Sequence, residues 1–204
     1  MPSNQRLSYA ESEDPLLQRL TIKALERLTG QRRLQKVYDE VNSMNLEGLE
    51  LFQTIMERLR VLPQFDLEQF NKIPKEGPLV IVANHPFGVV DGMILAYILS
   101  CHRAKFSVIV NSVLVNDDIL AQYLLPIDFK ETKEALATNL ETRSLAMQRL
   151  KKGEAIAIFP SGAVATAPKP FAKKAEDLEW KRFVAKLIQR TKACLLYTSP
   201  SPRD

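Results

Sequence analysis

The sequence predicts an α/β fold: a mostly parallel sheet with crossover helices, preceded by an N-terminal helical segment. Three observations carry that expectation. Apolar or alternating runs with β-branched bias, Pro78–Ala83, Lys105–Val110 and Ala155–Phe159, read as strands. Segments of helical period lie between them, which makes the connections crossovers. Two of the runs stop at loops, Asn84-His85-Pro86 and Pro160-Ser161-Gly162, and ligands of open α/β sheets gather at the carboxyl ends of strands. Both loops therefore fall on one rim.

In chain order, residues 1–13 read as a disordered N-terminus and 14–63 as the helical segment. Pro15–Leu28 sets Leu17, Leu20, Ala24 and Leu28 on one face, with Gly30 as a stop signal. Leu34–Val41 and Leu46–Leu59 continue as helices, and Pro63 closes the region. Packing on the domain suits these helices better than lying on an anionic membrane, because residues 1–72 carry 10 Lys/Arg against 11 Asp/Glu.

Residues 64–193 read as the α/β domain. Phe65–Phe70 is an extended piece before the first strand. Asp91 is placed to cap a buried helix over Met93–Cys101. Asp117–Leu125 reads as a short helix ended by Pro126. Glu131–Lys152 is a long helix with Leu136, Leu140, Met147 and Leu150 inward, stopped by Gly153. Trp180, Phe183, Val184, Leu187 and Ile188 form the apolar face of a last helix.

Composition narrows the function classes. The chain has 204 residues, 46% apolar and 25% charged, which describes a globular protein with a core of its own. No apolar run is long enough to span a bilayer, and the polar first 14 residues are no signal peptide. Cys101 and Cys194 give neither a disulfide framework nor a metal-ligand spacing, so no metal is expected and a reducing compartment is. Residues 169–192 hold eight Lys/Arg and three Asp/Glu, a local excess suited to phosphate or an anionic lipid face. Aromatics are not interleaved with these basic residues, which argues against nucleic acid.

The chemistry centres on His85, with Asp91 six positions on. A histidine paired with a carboxylate is the simplest general-base unit for activating a hydroxyl. Gly162, following a strand, lets the backbone approach a ligand and aim N–H groups at an oxyanion or phosphate. The second histidine, His102, lies in a Cys-His-Arg run near a helix end and reads as a satisfied surface residue.

Asn84-His85-Pro86-Phe87-Gly88-x-x-Asp91-Gly92 resembles the first motif of the glycerolipid (lysophospholipid) acyltransferase superfamily, in particular its hemolysin-like branch. Phe159-Pro160-Ser161-Gly162 resembles the third motif, Leu125-Pro126-Ile127-Asp128 the segment between, and Leu25–Gly30 and Glu179-Trp180-Lys181 fit the branch. The resemblance covers roughly residues 14–193. It implies an acyltransferase of lipid metabolism, such as phospholipid biosynthesis. The fatty acyl group would move from a thioester of coenzyme A or acyl carrier protein, a donor substrate rather than a bound cofactor. A hydroxyl or amine of a lipid acceptor would receive it. His85 would be the general base and Asp91 its orienting partner; Asn84, Phe87, Gly88, Phe159, Pro160, Ser161 and Gly162 would contact substrate. Such chemistry places the protein in the cytoplasm, peripheral on the inner face of the cytoplasmic membrane.

Two departures qualify the match. Five residues rather than the usual four separate His85 from Asp91, the His-x5-Asp spacing of the branch. Ser161 stands where the third motif has an acid, and Ala163 and Val164 stand where an arginine follows, which leaves a glycerol-phosphate acceptor unsupported. Lys169, Lys173 and Lys174 are the nearest sources of the missing charge.

Two other readings compete: a serine hydrolase using Ser161, and a non-catalytic membrane-associated lipid-binding protein. No G-x-S-x-G elbow surrounds Ser161, which weakens the first. Residues 194–204 resemble a translated sequencing adapter over their whole length and read as a non-native tail. On that reading the chain is a fragment lacking the strand after Ala193, with an unpaired sheet edge, and is expected to fold poorly or be inactive.

Overall fold

A computed structural model describes residues 31–115, 119–166 and 176–198. The helix expected over Pro15–Leu28 and the lysines at 169, 173 and 174 lie outside them. The chain opens with helices α1 (Gln31–Asn42), α2 (Gly48–Leu59) and α3 (Leu67–Asn71). Strand β1 (Leu79–Ala83) leads to α4 (Val89–His102), β2 (Phe106–Asn111) and β3 (Leu124–Ile127). Helix α5 (Lys133–Lys151), β4 (Ala155–Ile158), α6 (Phe183–Thr191) and β5 (Cys194–Thr198) complete the order.

The five strands form one sheet in the order β3-β2-β4-β1-β5, and every pairing is parallel. Parallel strands need crossovers, and the sequence supplies them as helices on both faces. Leu79, Ile81 and Ala83 share a core with α1, α2 and α4 through Val41, Phe52, Ile55, Leu95 and Leu99. Val80 and Val82 point to the other face, against Ala146 and Leu150 of α5 and Leu187 of α6. All five β1 residues are buried, the cause of that run's unbroken apolar character. No helix among the described residues is long and apolar enough to cross a membrane.

Several expectations need correction. Phe65–Phe70 is not extended: Asp66 caps α3, its carboxylate accepting from the backbone N–H groups of Glu68 and Gln69. Leu124–Ile127 is a strand rather than the end of a helix. Pro126 is tolerated there because β3 is an edge strand, paired only with β2. Leu136 and Leu140 of α5 are exposed, and Ala135, Thr142, Ala146 and Leu150 face inward. Small residues on that face let the helix sit close to the sheet. Trp180 precedes α6 rather than joining its apolar face, which is Val184 and Leu187 with Phe183 and Ile188 packed beside them.

The largest difference concerns the tail. Cys194–Thr198 pairs along the whole of β1, so the edge expected to stay open is occupied. Its composition, Cys-Leu-Leu-Tyr-Thr, is apolar and β-prone enough to extend a sheet whatever its origin. The added strand is thinly covered, with Leu195 and Tyr197 exposed.

Candidate active site at the carboxyl end of the sheet

β1 ends at Ala83 and the chain turns through Asn84-His85-Pro86-Phe87 into α4. Gly88 is the N-cap, at φ 67° and ψ −132°, a conformation open to glycine and strained for side chains. Asp91 is therefore not the cap but a first-turn residue, and its side chain reaches back out of the helix. Its Oδ2 accepts from the Phe87 backbone N–H at 2.8 Å and lies 3.0 Å from His85 Nδ1. A carboxylate offers only acceptors, so Nδ1 carries the proton, and in the neutral ring Nε2 is the nitrogen with the lone pair.

Burial divides the pair. The Asp91 side chain is 1% exposed and that of His85 17%, so the orienting acid is sealed while the imidazole reaches solvent. Phe159, at the end of β4, stacks on the imidazole with ring centroids 3.9 Å apart and planes 20° from parallel. The His85 backbone is held as well: its N–H donates to Asp177 Oδ1 at 3.2 Å, and its carbonyl accepts from Ala165 N–H at 2.8 Å.

The second loop is a tight turn in which Gly162 N–H donates to the Phe159 carbonyl at 3.0 Å. That N–H is spent within the turn and is not aimed at an oxyanion or phosphate, as the sequence had suggested. Gly162 sits at φ +73°, and a Cβ there would lie 3.1 Å from the Phe129 ring. Ser161 is 2% exposed and its hydroxyl donates to the Ala163 carbonyl at 3.0 Å. No hydrogen bond joins Ser161 to His85 among the described residues, so the geometry offers no serine nucleophile.

A family model described as Acyltransferase matches residues 64–196. The chain belongs to the Acyltransferase family. It is 30% identical over 158 residues to a lyso-glycine lipid O-acyltransferase of Bacteroides thetaiotaomicron, covering 74% of this chain and 54% of that protein. It is 28% identical over 158 residues to the protein of the same description from Phocaeicola vulgatus, covering 74% of this chain and 53% of that one. The chain thus spans about half the length of the curated relatives it matches.

Within this acyltransferase domain the structure brings together His85, Asp91, Phe159 and the Phe87 backbone. Gly88 serves them by starting the helix that carries Asp91. Asn84 adjoins His85, with its Oδ1 buried and unpartnered. Ser161 and Pro160 are buried in their turn and Phe87 is exposed at the rim. Phe159 stacks on the imidazole. Asp177 and Ala165 are the contributors that sequence reasoning missed; nothing in local period or spacing links a residue at 177 to one at 85.

Proposed function

We propose that this acyltransferase domain moves a fatty acyl group from an acyl thioester, on coenzyme A or acyl carrier protein, to a lipid hydroxyl or amine. The observation that carries the reading is the His85–Asp91 pair at 3.0 Å, buried on the aspartate side and open on the histidine side. His85 Nε2 takes the acceptor's proton as its oxygen or nitrogen attacks the thioester carbonyl carbon. The C–S bond of the tetrahedral intermediate then breaks, and the imidazolium returns the proton to the leaving thiolate. Asp91 stabilises the imidazolium in between. No covalent acyl-enzyme is needed, consistent with the inward-turned Ser161. The two relatives are described as acylating a lyso-glycine lipid on oxygen, which supports a hydroxyl acceptor on a lysolipid.

Peripheral attachment to the inner face of the cytoplasmic membrane completes the reading. Exposed Phe87, Phe129, Val164 and Trp180 all follow carboxyl ends of strands or flank the site, with Lys181 and Arg182 exposed beside them. Apolar side chains rimmed by basic ones suit a lipid surface.

The test is His85→Ala in the 204-residue chain, assayed with acyl-coenzyme A and a lysolipid. Transfer falls by about 10²–10⁴-fold if His85 is the base. Undiminished transfer rejects that role, and absence of transfer by the unmutated full-length protein favours a lipid-binding module.

A further inference from the structure

Four contacts fix His85, and they divide by what they hold. Asp91 and Phe159 set the imidazole ring; Asp177 and Ala165 set the main chain that carries it. The two main-chain contacts come from one built unit. Thr166 and Glu176 form an antiparallel bridge, N–H to carbonyl at 3.1 and 3.0 Å, and these residues directly follow Ala165 and directly precede Asp177. The bridge therefore ties the donor that grips the His85 carbonyl to the acceptor that grips its N–H. Asp177 is itself pinned: its Oδ2 accepts from Trp180 Nε1–H at 3.1 Å, and the indole lies 5.8 Å from the Tyr197 ring of β5. Lys181 N–H, next in sequence, donates to the Pro160 carbonyl at 3.0 Å and anchors the unit to the Phe159–Gly162 turn.

We propose that the Asp177–Trp180 pair is a positioning device for the catalytic base: Trp180 orients the Asp177 carboxylate, which fixes the main chain of His85 and thereby the reach of Nε2. The proposal rests on the reading of His85 as general base. Rates of general-base steps depend steeply on placement, and a misplacement of about 1 Å costs on the order of 10²-fold. Asp177 touches no reacting atom. It is a positioning residue, and Asp91 remains the partner of the ring.

The carboxylate meets two N–H donors with two acceptor oxygens, which a neutral amide cannot do. In Asp177→Asn one donor must face the amide NH2. Trp180→Phe removes the second donor, leaving the amide oxygen free to accept from His85 N–H. A role by charge alone predicts no such relief, and a merely structural role predicts damage that tracks melting temperature.

The experiment measures kcat and KM, melting temperature and amide hydrogen exchange at His85 for the full chain. The variants are Asp177→Ala, Asp177→Asn, Trp180→Phe and Asp177→Asn/Trp180→Phe, with acyl-coenzyme A and a lysolipid as substrates. Expected is a fall in kcat of about 10–100-fold for Asp177→Ala, with both KM values within about twofold. Asp177→Asn falls about tenfold, and the double variant recovers to within about threefold of Trp180→Phe alone. His85 amide exchange speeds up about tenfold in Asp177→Ala.

Wild-type kcat in Asp177→Ala, or a loss in Asp177→Asn that Trp180→Phe does not relieve, overturns the proposal. So does unchanged His85 amide exchange in Asp177→Ala. His85→Ala separates the two levels. If that variant retains full transfer, the general-base reading and with it the catalytic consequence fall, while the exchange rates still decide whether Asp177 holds the main chain.

Discussion

The two ends of α4 carry the two histidines and use them in opposite ways. At the N-terminal end His85 stands outside the helix, bonded to a sealed carboxylate and open to solvent on one side. At the C-terminal end His102 has both ring nitrogens buried without a hydrogen-bond partner, its ring 4.3 Å from that of Phe70. It is not the satisfied surface residue that its neighbours in sequence suggested. Next to it Arg103 is buried and donates to the carbonyls of Pro74, Gly77 and Gly153, stapling the loop before β1 to the turn before β4. On the proposed reading one end of the helix moves a proton, while the other holds chain segments together. What separates them is the partner: a carboxylate beside a ring that reaches solvent, against the Phe70 ring beside a half-buried imidazole whose nitrogens meet no hydrogen-bond partner among the described residues.

The strongest way to break this contrast is Asp91→Asn. The amide keeps the shape but loses the negative charge that stabilises an imidazolium, and its NH2 can force the other tautomer. Expected is a loss of about 10³-fold in kcat, which is about 4 kcal/mol of barrier. In an Asp91→Asn/His85→Ala double variant the two losses should fail to add, since both residues act as one unit. Full additivity would mean that Asp91 works apart from His85.

The N-terminal end was legible in the sequence because its logic is local. A buried strand, a histidine, and Gly88, Asp91 and Gly92 within the next seven positions lie inside 77–92, and the structure sets Asp91 Oδ2 3.0 Å from His85 Nδ1. β1 and β4 were legible for a related reason, since parallel strands covered on both faces are apolar without interruption, whereas β2 was read from its β-branched alternation around the buried Ser107. β3 was not, because Pro126 reads as a stop signal unless the strand is known to lie at an edge. The buried face of α5 was read only in part: Leu150 is buried and Met147 packs beside it as expected, but Leu136 and Leu140 are exposed while Ala135, Thr142 and Ala146 are buried. Asp177 belongs to a third kind. Its contact with His85 spans 92 positions and is made to a backbone N–H, for which any acceptor in sequence is an equal candidate.

At the opposite end, Arg103→Met should show the reverse phenotype. The thioether fills some of the space but leaves three carbonyls without their shared donor, at a cost of about 3 kcal/mol in folding stability. A lower urea midpoint with unchanged slope, and kcat within about twofold per folded molecule, is the expected pattern. A selective loss of kcat at full stability would show that the staple reaches the catalytic end.

The smallest effect is a pH dependence at His102. Burial, and then the nearby Lys75 charge, lower the pKa of His102 below its ordinary value. In the unfolded chain the imidazole titrates normally. On acidification the unfolded state therefore binds a proton before the folded state does, and linkage makes stability fall. The contribution is fully present above the unfolded value of about 6.5 and is lost as pH drops toward the lowered folded value. His102→Phe removes the titration while keeping a ring against Phe70. Thermal melts from pH 7.5 to about 5 should then show a shallower acid decline for the variant, by a few degrees at most for a domain of this size. Parallel declines would assign the acid sensitivity to other groups. A steeper decline in the variant would mean that His102 gains a partner when charged, and the contrast between the two ends of α4 would narrow to one of position alone.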